Sequence, residues 1–286
     1  MILPTRIFIL LLSLLAMASV QAQELEITIT GGTVRATPVA VVPFAGSGQL
    51  PVKVHEIIAD NLSRSGLFSA LPEADMLEKP TDPEKVELRN WRTLGVEYVV
   101  VGEMRRGNSV RFHLIDVFRG QQLIAFDMPG VRDPEQLRYT AHDISDLIFK
   151  ELTGHAGVFN TRIAYVTSTG SGQSMTFRLV VADADGYNPR SLVTSREPIM
   201  SPAWSPDGRR LAYVAYRQGR SAINVIDLES GSSREIVSER GINGSPAWSP
   251  DGSKLAVTLS FENNPDIYVI DLATGNRTRL TTHWGI

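Results

Sequence analysis

From residue 160 onward the apolar residues fall in short, strand-length runs separated by polar turns rich in Gly, Pro, Asp and Ser, and the runs repeat. Ile163-Ala164-Tyr165-Val166 answers to Leu211-Ala212-Tyr213-Val214 and to Leu255-Ala256-Val257-Thr258. The run Val180-Val181-Ala182-Asp183 ends in Val181-Ala182-Asp183, which answers to Val225-Ile226-Asp227 and Val269-Ile270-Asp271 (each followed by Leu228 or Leu272), so that Asp183, Asp227 and Asp271 lie 44 residues apart. The octapeptide Ser-Pro-Ala-Trp-Ser-Pro-Asp-Gly stands at residues 201–208 and again, unchanged, at 245–252. A period of about 40–45 residues with four short β-runs per unit predicts β-propeller blades.

Each unit has a mechanism. In Pro-Asp-Gly, the prolines (Pro206, Pro250) preset φ, the aspartates (Asp207, Asp251) bond the local backbone, and Gly208 and Gly252 accept positive φ. That turn joins an inner strand (202–205; 246–249) to a second (210–216; 254–260). Polar connections at 217–221 and 262–265 lead to a third strand, and Glu229-Ser230-Gly231 or Ala273-Thr274-Gly275 turns into a fourth. Trp204 and Trp248 are expected to pack between blades, because aromatics supply large buried area. Asp183-Ala184-Asp185-Gly186 has calcium-like spacing, but no acidic ligand closes the loop, so a turn is expected. Residues 160–286 hold two to three blades against the about four to eight of closed propellers. In this register the next inner-strand Trp falls beyond Ile286, so the chain reads as a fragment of a longer protein.

Upstream the rhythm changes. Leu25, Ile27 and Ile29 alternate with Glu26, Thr28 and Thr30, as in a strand. Residues 39–44 form an apolar strand, and Val54, Ile57, Ile58 and Leu62 share one helical face before Gly66. Asp82-Pro83 is a cap with Pro at the first helical position, predicting a helix to Leu94 with Gly95 as its stop. Residues 98–101 read as a buried strand, followed by 110–117 and 123–128 with turns at Gly107-Asn108 and Arg119-Gly120. Asp133-Pro134 repeats the cap, and Leu137, Ala141, Ile144, Ile148 and Leu152 carry a helix to Gly154. The order, βαβα then a meander and a helix, is a small α/β domain. The expected division is a signal peptide at 1–22, the α/β domain at 23–157 and an incomplete propeller at 158–286.

The amino end bears on location. Arg6, the apolar run 7–16 and the small residues Val20-Gln21-Ala22 make a secretory signal peptide, too short to span a membrane. The chain has no cysteine, hence no disulfide framework, lipoprotein attachment site or thiolate metal site. With 28 basic and 31 acidic residues, net −3, it is not built for nucleic acid. The histidines (His55, His113, His142, His155, His283) lack zinc-site spacing and are expected at the surface or locally bonded, so no metal or other cofactor is expected. There is no G-x-S-x-G, P-loop or G-x-G-x-x-G, and Gly46-Ser47-Gly48 reads as a turn rather than a phosphate nest.

These features together resemble one family. The signal peptide, the alternating acidic and apolar mature start, the Pro-Val-Ala-Val-Val-Pro-Phe strand, Thr161-Arg162-Ile163-Ala164-Tyr165-Val166, the run Pro198-Ile199-Met200-Ser201-Pro202-Ala203-Trp204 and the two octapeptides are similar to the TolB family of the Tol–Pal system. The resemblance implies a six-bladed propeller behind the α/β domain. It also implies a non-enzymatic, monomeric periplasmic adaptor that links the lipoprotein Pal, and through it the outer membrane, to TolA at cell division. The family's TolA-binding segment matches Gln23, Glu24, Leu25, Glu26, Ile27, Thr28, Ile29 and Thr30, and a strand-forming peptide of that kind can add to a partner's sheet edge. The Pal surface maps to the loops entering the inner strands and joining second to third strands: Pro198, Met200, Ser201, Arg217, Ile242, Asn243, Gly244, Ser245 and His283. The family often has His before Asn-Gly, where this chain has Ile242. Two other readings are the propeller portion of an exported serine peptidase and a propeller that binds a glycan or small ligand in its channel.

Overall fold

The computed structural model describes residues 35–48, 50–262 and 264–282. The expected signal peptide at 1–22, the 23–30 segment and His283 lie outside them. The described residues from Ala36 onward group as one compact unit.

Alternation along β1 (Thr37–Val41) sets the architecture of the first part. Val39 and Val41 face one core, while Ala40 and the following Val42 face another. β1 lies parallel to β2 (Phe68–Ala70) and β3 (Tyr98–Arg105). β4 (Ser109–Asp116) and β5 (Gln121–Met128) continue antiparallel, for a sheet order β2-β1-β3-β4-β5. One face is covered by α1 (Val54–Arg64) and α3 (Leu137–Thr153), with Ile58, Leu62, Ile144 and Ile148 fully buried against Phe112 and Leu114. The other is covered by α2 (Leu88–Thr93) around the buried Trp91. Two faces buried on one sheet explain the continuous apolar run of residues 39–42.

Two expectations change here. The helix read over 82–94 divides into a 3₁₀ turn, Pro83–Lys85, and α2. Asp82 caps the turn through the Glu84 N–H (3.0 Å), but Val86 and Glu87 are extended, and the Glu87 N–H donates to the Glu78 carboxylate (3.0 Å). The side-chain bond outside the helix replaces the in-helix partner, and the helix restarts one turn later. The three-residue β2 was not read at all, being too short for a periodic pattern.

The repeat region forms three sheets. β6 (Arg162–Thr169), β7 (Thr176–Asp183) and β8 (Arg190–Ser195) make a three-stranded meander. β9 (Ile199–Trp204), β10 (Arg210–Arg217), β11 (Arg220–Asp227) and β12 (Ser233–Val237) make a four-stranded blade. β13 (Asn243–Trp248), β14 (Lys254–Leu259), β15 (Asp266–Asp271) and β16 (Arg277–Arg279) make another. The inner strands begin about three residues earlier than read, because a β-bulge passes each Ser-Pro pair: the register shifts between Ala212 and Val214 and between Gly244 and Ala247. A proline cannot donate to the ladder, so it tolerates that irregular edge.

Blades stack through period-2 faces. Leu211 and Tyr213 pack with Leu179 and Val181 of the first sheet, whereas Ala212 and Val214 pack with Leu255, Val257 and Ile270 of the third. Trp248 is an inter-blade residue, as expected: its indole N–H donates to the Ala203 carbonyl at 3.0 Å. Trp204 packs into the cluster shared by the first and second sheets.

The α/β domain meets the first blade through α3. Arg138 pairs with Asp185 and lies 3.7 Å over the Tyr187 ring, and His142 Nε2 stands 3.6 Å from the same carboxylate. Asp183-Ala184-Asp185-Gly186 is a turn, with Gly186 at φ 83 and its N–H on the Asp183 carbonyl (2.8 Å). Asp185 is spent on holding a helix. Although burial opposes it, the Tyr187 N–H and the Arg138 guanidinium keep its carboxyl below the usual carboxylate range.

Candidate partner-binding face

The two ends of each blade are built differently. At one end stand the Pro-Asp-Gly turns. Ser205 Oγ donates to Asp207 (2.5 Å), which accepts the Arg209 N–H (3.0 Å), and Gly208 adopts φ 66. Ser249, Asp251 and Gly252 repeat this arrangement. The Ser249 hydroxyl first, then the Ser253 N–H and hydroxyl, hold the Asp251 carboxyl down at about 2.

This end is also stitched between blades by arginines that the repeat alignment did not single out. Arg162 donates to the Gly208 carbonyl (2.8 Å) and lies 5.1 Å from the Trp204 ring; Arg210 donates to Gly252 (3.1 Å) and lies 4.7 Å from Trp248. Arg190 and Arg234, one repeat apart, reach the Leu228 and Leu272 carbonyls at 3.4 and 3.1 Å. Each guanidinium satisfies a turn carbonyl of the next blade and stacks on its tryptophan or caps its last strand pair. Their signal was present as Arg at matching offsets, but its meaning needed the neighbouring blade.

The opposite end carries the residues assigned to a partner. The connection into β9 and the β10–β11 turn are tied together: the Tyr216 N–H donates to Pro198 (3.0 Å), and both Gln218 and Gly219 N–H groups donate to the Glu197 carboxylate (2.6 and 2.9 Å). Those N–H groups, Gly219 first, hold Glu197 below the usual carboxylate range. One blade on, Asn243 is the clamp. Its amide donates to the carbonyls of Ser221 (3.0 Å) and Glu239 (2.7 Å), its Oδ1 accepts the Glu239 N–H (2.8 Å), and its own N–H reaches Ser221 Oγ (3.0 Å). Blade two and the loop entering blade three are thereby locked.

Of the residues read from the sequence, Met200, Ser201, Arg217, Ile242 and Ser245 are exposed, and Pro198 and Gly244 are half-buried. Met200 and Ile242 are 41% and 54% exposed, which makes them apolar points of this end. Asn243 is only 1% exposed, so the side chain holds the loop from beneath. Ser201 and Ser245 sit at φ 51 and 50, left-handed values for non-glycine residues at equivalent places in both bulges. The 23–30 segment, like His283, lies outside the described residues.

A cleft of 530 Å³ opens elsewhere, on the α/β sheet, where Arg111, His113 and Gln122 meet Asp82 and Glu84. His113 Nδ1 contacts Gln122 Oε1 at 2.7 Å. No serine, threonine or cysteine lines it. Gly46-Ser47-Gly48 is a closed turn, Ser47 Oγ donating to the Phe44 carbonyl (2.6 Å).

The fold therefore defines a two-part protein, an α/β domain docked by one helix onto β-propeller blades whose loop end is exposed and internally braced. Known proteins share this order. The family model described as the TolB amino-terminal domain matches residues 25–123, and that of the TolB beta propeller domain matches 149–286. The chain belongs to the TolB family. A Tol-Pal system protein TolB of Methylococcus capsulatus is 47% identical over 221 residues, covering 76% of this chain and 52% of that protein. One of Xanthomonas campestris pv. campestris is 46% identical over 229 residues, covering 78% and 51%. The crystal structure of TolB from Acinetobacter baumannii superposes with a TM-score of 0.77 at 35% identity, over 88% of this chain and 62% of that one. The chain spans about half the length of the curated relatives it matches.

Proposed function

We propose that this chain works as a non-enzymatic adaptor of the Tol–Pal envelope system in the periplasm, taking the lipoprotein Pal on the loop end of its propeller and TolA on its mature amino-terminal strand. It would so help the envelope hold together and constrict at division. The observation that carries this reading is the braced loop end. Met200 and Ile242 project from connections already fixed by Glu197 and Asn243, so a partner meets a preorganised surface and little loop entropy is lost on binding. Exposed apolar points on a rigid polar frame are the usual anchors of a protein interface. The residues offered to Pal are Pro198, Met200, Ser201, Arg217, Ile242, Gly244 and Ser245, with Asn243 beneath them.

Periplasmic location rests on the signal sequence and on the family's membership of the envelope system. No helix among the described residues is long and apolar enough to cross a membrane. The alternative, a peptidase propeller, gains nothing from the α/β domain, whose cleft lacks a hydroxyl or thiol nucleophile. For TolA the test is deletion of residues 23–30. The truncated protein should lose TolA binding while its circular dichroism keeps the α/β signal, because β1 to β5 and their helices all begin after residue 36. Unfolding of the truncated domain would make that segment part of the core and sink the assignment.

A further inference from the structure

The histidines were expected at the surface or locally bonded, and His55 is buried with its nearest partner, the Glu73 carboxylate, 3.8 Å away. It lies in the first turn of α1, 6% exposed, and neither ring nitrogen has a hydrogen-bond partner. Leaving buried polar atoms unpaired costs about 1–3 kcal/mol each, so such an orphan calls for a ligand. Two carboxylates face it. Glu56 follows in the same turn, and Glu73 comes from the 3₁₀ turn Glu73–Asp75 in the connection after β2. His55 Nε2 stands 3.8 Å from Glu73 Oε2, and one donor atom from each of the three residues lies within 4.8 Å of the others. Lysines occupy only Oε1 of each glutamate: Lys79 on Glu73 at 2.7 Å and Lys53 on Glu56 at 3.1 Å.

We propose that His55, Glu56 and Glu73 form a divalent transition-metal site, with Zn²⁺ the best fit, that pins the connection after β2 to α1. One imidazole and two carboxylates with open positions suit zinc better than calcium or magnesium, which want six or more oxygens. Zinc bonds of about 2.0–2.2 Å place tetrahedral donors about 3.3–3.6 Å apart. The present separations close to that by rotation of the two glutamates, whose side chains are 53% and 47% exposed. The clamp has something to hold, since the 3₁₀ turn that supplies Glu73 buries none of its residues and is held to the core only through the flanking Leu71 and Met76, which are partly buried. The site lies in the α/β domain and is independent of the Pal reading.

The experiment uses the exported protein, stripped with a chelator and titrated with Zn²⁺ by calorimetry, with thermal unfolding run in parallel. One saturable Zn²⁺ and a raised Tm are expected. Glu73→Gln, an exposed change that keeps the fold, should weaken binding roughly tenfold or more, and His55→Gln should abolish the Tm shift. Absence of saturable binding overturns the proposal. So does a Zn²⁺ affinity unchanged in both variants, which would assign the metal to another histidine such as the exposed His155.

Discussion

Truncating Asn243 to alanine isolates the clamp that braces the loop end. The side chain is 1% exposed, and its three shortest bonds, which alanine cannot make, run to the carbonyls of Ser221 and Glu239 and from the Glu239 N–H. A net hydrogen bond is worth about 1 kcal/mol, so the first figure is about 3 kcal/mol. Ser221 is itself buried at 4% exposure, so its carbonyl stays unpaired in the variant. Glu239 is half-buried, and its groups recover part of their bonding from water. The expected loss is therefore about 2–3 kcal/mol, confined to the blades. Urea unfolding measures the total, and hydrogen exchange locates it. The Glu239 and Asn243 amides should exchange faster while Val100, in the α/β sheet, keeps its protection. A loss under about 0.5 kcal/mol, or one spread evenly over both parts, would refute the clamp and with it the claim of a preorganised surface.

The turn end allows sharper tests. Gly208→Arg places a side chain at φ 66 and within reach of Arg162 Nη2, 3.7 Å from the added Cβ, so urea stability should fall by about 1–2 kcal/mol with Pal affinity retained at temperatures where the protein is folded. An undiminished midpoint would show that the turn accepts another backbone. For Asp251, whose carboxyl is held at about 2 against an ordinary value near 4, the stabilisation is present above about pH 4 and lost as pH falls toward 2. Carboxyl carbon shifts followed by NMR should titrate with a midpoint near 2; a midpoint near 4 would mean the Ser249 bond does not form in solution.

What was legible in the sequence was whatever a residue demands of its own neighbourhood. Pro-Asp-Gly fixes a turn in any context, and its recurrence with Trp204 and Trp248 counted the blades. The unbroken apolar run 39–44 announced a strand, and its two covered faces became plain only from the cores on either side. The strand limits were less legible, because the bulges at Ser201 and Ser245 extend pairing past a proline that ordinarily ends it. The split of the 82–94 helix depended on the Glu78 carboxylate, nine residues away from Glu87. The site divided along the same line. That Met200 and Ile242 are exposed agrees with loop positions read from the repeat, whereas Asn243 looked like a surface polar residue until Ser221 and Glu239 were seen to enclose it. The arginine stitches and the orphaned His55 depend on partners brought near by folding, which no local pattern encodes.

The central claim is that Pal binds the loop end, and calorimetry with Pal on two arginine variants tests it most directly. A Cβ on Gly244 meets nothing nearer than Ile242 Cγ2 at 3.8 Å, so Gly244→Arg should fold normally while placing a charged side chain beside Ile242 on the proposed surface. Glu229→Arg puts the same charge on an exposed turn at the opposite end. The account predicts that Gly244→Arg weakens Pal by about 2 kcal/mol or more and that Glu229→Arg leaves it unchanged. A folded Gly244→Arg protein that binds Pal as the wild type does, or an equal loss in Glu229→Arg, would contradict it.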